Sequence, residues 1–172
     1  MKKWLSFLGA ITLLGTSTTS LVACNNIPQY NEDELQQLKK ENQIWTNCQE
    51  IKENLEWICS QEKPFNQVDN KYYFVVWKTD NWNITKFKNN EKIEKHTLKI
   101  LEKKGKYELK LHRYSMDYEV DLTNYEPSKM TNWPWRKDNG KYFKAVYRWN
   151  GEEQKLPNLD IDKDGNVKVN GE

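Results

Sequence analysis

Histidine is nearly missing from this 172-residue chain, which has only His96 and His112. They stand on separate segments, and neither belongs to a signature such as H-E-x-x-H or G-x-S-x-G, so the usual motif routes to catalysis are closed. Cysteine is scarce too, at three, and Cys48 and Cys59 have no histidine near them to complete a zinc set. Glycine numbers seven, a scarcity that fits biased coding DNA better than any function. The apolar share is 37% against 30% charged, a balance that by itself points toward partial disorder. Aromatic residues argue the other way, because large rings such as those of Trp77 and Trp149 build a core from few residues.

The long apolar run lies at the very start. Lys2 and Lys3 precede a largely apolar stretch from Trp4 to Leu14, and small residues from Gly15 to Ser20 then lead to Leu21-Val22-Ala23-Cys24. That order is the plan of a secretory signal peptide. Its ending, Leu-Val-Ala-Cys, resembles the lipobox of bacterial lipoproteins. The resemblance implies that the Cys24 sulfur receives diacylglycerol, that residues 1–23 are removed, and that Cys24 becomes the first mature residue. More narrowly, Met1 to Ser6 and Leu21 to Asn26 resemble the signal peptides of spiroplasma lipoproteins. The stretches Tyr73-Phe74-Val75-Val76-Trp77 and Tyr142 to Trp149 are similar to segments of that group. This likeness implies a location, the outer face of the plasma membrane with the folded part outside, and supplies no catalytic residues. Residues 24–31, with Pro28 and little apolar pattern, read as a lipidated tether that keeps the domain in water.

Charge of one sign is also lacking. Lys2 and Lys3 leave with the signal peptide, so 25 basic residues face 25 acidic ones and nothing electrostatic favours nucleic acid as a partner. The 149 residues from Cys24 onward suit one domain.

The fold class expected is α+β, a single domain over residues 32–172 in which an N-terminal amphipathic helix, about 32–60, packs on an antiparallel and largely meander sheet, about 71–169. Asn31 is available as an N-cap, and Glu32, Asp33 and Glu34 favour the first turn of a helix. Ile44, Cys48, Ile51, Leu55 and Ile58 then follow a 4-3-4-3 spacing that makes one apolar face. Leu38 and Trp45 fall off that stripe, which either widens the buried face or marks a break near Asn42. In one unbroken helix Cys48 and Cys59 stand about 16 Å apart along the axis, too far for a disulfide. No Gly or Pro between them makes a turn, so the sequence weighs against that bridge while leaving it open.

Beyond Pro64 the pattern becomes strand-like. Tyr72 to Trp77 is a continuous apolar run, the mark of burial on both faces. Tyr107, Leu109 and Leu111 alternate with polar residues, as do Tyr118, Val120 and Leu122, and these read as half-buried antiparallel strands. Residues 124–140, with two prolines, read as a long loop, and Phe143, Ala145, Tyr147 and Trp149 fall on one face of a later strand.

Two candidate sites emerge. Asp160, Asp162, Asp164 and Gly165 open like an EF-hand loop, which makes calcium the one cofactor suggested; yet the twelfth position is Gly171 instead of the closing carboxylate. A hairpin turning at Asp164-Gly165 is the better reading. Trp133 and Trp135, separated by Pro134, are the best candidates for ligand binding, since flat rings stack on sugars and dominate protein hot spots. The function expected is non-enzymatic, binding or adhesion to a host-surface protein or glycan. The alternative is a solute-binding accessory of a transporter, and an enzyme comes third.

Overall fold

A computed structural model describes residues 29–114 and 118–171; the expected signal peptide, Cys24 and most of the expected tether lie outside the described residues. The described chain forms α1 (Glu32–Glu41), α2 (Gln49–Asn54), β1 (Leu55–Trp57), β2 (Tyr72–Lys78), β3 (Trp82–Lys88), β4 (Leu98–Lys104), β5 (Tyr107–Arg113), β6 (Val120–Glu126), β7 (Thr131–Pro134), β8 (Phe143–Trp149), β9 (Leu159–Ile161) and β10 (Val167–Val169). It is an α+β arrangement dominated by antiparallel pairing.

The strands divide into two four-stranded sheets and a hairpin. The first sheet runs β1-β8-β2-β3, the second runs β4-β5-β6-β7 as a true meander, and β9 pairs with β10. One face of each sheet meets the other: Tyr73, Val75, Trp77 and Val146 from the first pack with Leu109, Leu111 and Leu122 from the second. The first sheet has a second covered face, where Phe74, Tyr147 and Trp149 meet Ile44, Ile51 and Leu55 together with Leu159, Val167 and Val169 of the hairpin. Hence Tyr73 to Trp77 are all buried, as the continuous apolar run requires.

The expected single helix over 32–60 is corrected. Asn42 ends α1, donating from both its backbone N–H and its amide to the Leu38 carbonyl. The chain resumes as the short α2 and then pairs Leu55, Glu56 and Trp57 with β8. Of the 4-3-4-3 residues all but the half-buried Cys48 are buried, but on two sides of a sheet: Ile44, Ile51 and Leu55 on its covered outer face, and Ile58 between the sheets. Nor does α1 pack as an amphipathic helix. It buries no residue outright and is held by its Asn31–Glu34 capping box and by Lys39, whose ammonium lies 2.5 Å from Glu56 and 2.7 Å from Glu62.

Two further expectations change. Residues 124–140 carry the end of β6 and all of β7; β7 lies at the edge of its sheet, where Pro134 removes no needed ladder bond. In β8 a bulge opposite Val76 and Trp77 breaks the alternation, so Phe143 enters the core between the sheets while Ala145, Tyr147 and Trp149 stay on the other face.

Candidate functional site

Trp133 and Trp135 sit in different places. Trp133 lies on β7 opposite Asn124 of β6. Its indole stacks on Tyr142, with ring centroids 4.3 Å apart and planes at 24°, and Tyr107 adds a tilted ring at 6.5 Å. All three are half-buried, so their exposed parts form an aromatic ledge at the β7 edge. Lysines flank it: the Lys106 ammonium is 5.2 Å from the Tyr107 ring centre and that of Lys141 is 5.1 Å from Tyr142. The ledge is built by backbone chemistry. Asp138 accepts from the N–H groups of Gly140, Tyr142 and Phe143 at 2.9, 3.1 and 3.0 Å, and Gly140 takes a left-handed turn at φ 90. This fixes the loop that presents Tyr142.

Trp135 turns into the body. Its ring lies 6.2 Å from Phe65, and with Trp57, Ser60, Arg136 and Phe143 it lines a cleft of about 160 Å³. The strand–turn boundary at Pro134 separates the two indoles, so the surface pair expected from sequence is one ledge residue and one cleft residue.

Behind the cleft sits a polar cluster. Asp121 stands opposite His112 across the β5–β6 pair and 3.4 Å from the Arg136 guanidinium. Burial pushes the Asp121 carboxyl up to about 7, with Arg136 acting in the opposite sense. Burial, followed by the Lys110 charge, pushes His112 down. Arg136 also reaches Glu119, at 3.4 Å, and Glu119 pairs with Lys63. Sequence alternation placed Asp121 on a solvent face. Its burial under Arg136 follows from the turn after β7, which no local pattern marks.

The three aspartates of the supposed calcium loop do not converge. Asp162 Oδ1 accepts from the N–H groups of Asp164 and Asn166, each at 2.9 Å, and its Oδ2 accepts from the Asn166 amide at 2.8 Å. Asp160 faces Lys168, and Lys144 donates to the Asp164 carbonyl at 2.5 Å. Among the described residues no group of three His, Cys, Asp or Glu side chains is placed to hold a metal ion. The segment is the hairpin favoured on sequence grounds. Gly165 turns it at φ +79, and a Cβ there would stand 2.7 Å from the Trp82 indole, so glycine alone fits.

Cys48 and Cys59 are not joined by a disulfide, and burial pushes the Cys59 thiol up. Among the described residues no helix is long and apolar enough to cross a membrane. No family model, curated protein or solved structure matches this chain.

Proposed function

We propose that this protein is a lipoprotein displayed on the outer face of the plasma membrane, tied there by acyl chains on Cys24, and that its role is binding or adhesion rather than catalysis. The order of Lys2-Lys3, the apolar run and Leu21-Val22-Ala23-Cys24 supports the anchor. The observation that carries the binding role is the Trp133–Tyr142 stack, an aromatic surface held half-open by strand pairing and by Asp138. Such rings lie against the apolar faces of sugars and anchor protein hot spots, so the ligand class is a host-surface glycan or protein.

A second reading, capture of a small solute for a transporter, has the cleft between Trp57 and Trp135 in its favour, although drug-sized ligands occupy roughly 300–1,000 Å³. One experiment separates the two. Mature protein is screened against glycans and host-surface proteins, then compared with Trp133→Ala and Trp135→Ala. The ledge reading expects Trp133→Ala to weaken binding by about 2 kcal/mol or more while Trp135→Ala leaves it nearly unchanged. The opposite pattern selects the cleft, and no binding by the folded wild type sinks the ledge reading and favours solute capture.

A further inference from the structure

The point at which the chain leaves the folded body is fixed. Gln61 accepts from the Tyr30 N–H at 2.8 Å and donates to the Tyr30 carbonyl at 2.9 Å, and Asn31 is locked into the cap of α1. Five peptide steps separate Gln29 from Cys24, and an extended chain of that length spans at most about 18 Å. If Cys24 carries the lipid, the surface around Gln29 is held within that distance of the bilayer.

That surface has the chemistry of a membrane contact. Gln29 lines an open cleft of about 350 Å³ with Lys63, Arg136, Lys137 and Glu119; Glu119 meets Lys63 and Arg136, and Arg136 also meets Asp121 behind the cleft. Lys63 and Lys137 are exposed, and next to Glu119 the Tyr118 ring is 87% exposed. An aromatic ring carrying a hydroxyl suits the headgroup level, and lysines there are drawn to anionic lipid. β6 gives the direction. It begins at Val120 beside this cleft and runs six residues to Glu126, about 20 Å away. Trp133 pairs four residues along that strand, so the ledge lies toward the far end.

We propose that the end of the domain bearing Gln29, Lys63, Lys137 and Tyr118 rests on the membrane, with its lysines against anionic phospholipid headgroups, so that the aromatic ledge faces outward. This rests on the Cys24 anchor of the proposed function. The acylated mature protein, inserted into preformed phosphatidylcholine vesicles with or without phosphatidylglycerol, is treated with a water-soluble amine-acylating reagent and its lysines are read by mass spectrometry. Lys63 and Lys137 are expected to label several-fold less with phosphatidylglycerol present than in detergent, with protection reversed by salt, while Lys106 and Lys129 label equally throughout. A Lys137→Glu variant, changed at an exposed site, is expected to keep its membrane partition and lose the protection at Lys63. Equal labelling at both ends overturns the orientation while leaving the anchor intact. A wild type that partitions no better than Cys24→Ser overturns the anchor, and the orientation with it.

Discussion

The two sheets share one core and differ in what lies beyond it. The first is covered on both faces, and β2 accordingly shows five consecutive buried residues from Tyr73 to Trp77. The second is covered unevenly on its other face: on β6 Val120 to Asn124 are likewise all buried, and Lys110, 3.5 Å from the Tyr125 ring centre, is buried too, whereas Leu98 and Ile100 on β4 remain 48% and 39% exposed. The difference teaches where stability resides. Side chains in the run Tyr73 to Trp77 have no solvent to relax into, whereas those at the β4 end of the second sheet's other face exchange one partly wetted contact for another.

Substitution breaks that comparison most sharply at Trp77. Its ring is fully buried between the sheets and its indole N–H donates to Thr85 at 2.7 Å. Trp77→Ala is expected to cost about 3–5 kcal/mol, through lost burial, a cavity and the lost indole hydrogen bond. Leu98→Ala, on the open face of β4, is expected to stay within about 0.5 kcal/mol. Urea unfolding midpoints measure both, and a comparable loss at Leu98 would mean that the second sheet is covered in solution.

The same contrast decides what was legible in the sequence. A continuous apolar run and an alternation are local patterns, so the strands β2 and β5 could be read directly from Tyr72 to Trp77 and from Tyr107 to Leu111, although Lys110 proves buried between Leu109 and Leu111. Residues 44–58 misled because isoleucines and leucines at helical spacing also suit a chain that weaves past a sheet edge, and only pairing with β8 decides between them. Trp133 was legible as a binding residue by type. Its partners Tyr107 and Tyr142 were not, since they reach it from other strands and turns, and adjacency across a sheet leaves no trace in spacing. A weak likeness between Asp69-Asn70-Lys71-Tyr72 and Asp138-Asn139-Gly140-Lys141-Tyr142 proves to be shared turn chemistry. Asp69 accepts from the Lys71 N–H and Asp138 from the Gly140 N–H, just before the neighbouring strands β2 and β8.

A second way to sharpen the comparison uses pH, with Asp121 standing for the buried centre of the second sheet's other face. An acid whose folded value is raised to about 7 binds its proton more tightly folded than unfolded. Its ionisation therefore erodes stability as pH rises from about 4 through 7. Asp121→Asn mimics the protonated form, so it is expected to match the wild type near pH 4 and to exceed it by about 2–4 kcal/mol at pH 8. Thermal melts across that range test the sign, and a variant less stable than the wild type at pH 8 would show that the Arg136 pair outweighs burial.

Glu56, on β1 at the edge of the first sheet, supplies the opposite sign and a smaller effect than Asp121. Burial acts to raise its carboxyl, but hydrogen bonds from Lys39, Asn150 and Arg148 overcome this and hold it at about 2. A depressed acid stabilises fully above its unfolded value near 4.5, and that contribution fades as pH falls toward 2. The group is partly exposed, so solvent screening trims the contribution to about 1 kcal/mol. Because α1 buries nothing outright and Lys39 is its main polar link to the body, the loss should be local. Lys39→Met is expected to lower amide protection at Leu35 and Leu38 while Val75 and Val76 keep theirs, and acid below pH 4 should do the same in the wild type. Uniform loss across α1 and β2 would mean that the helix and the doubly covered sheet open as one unit.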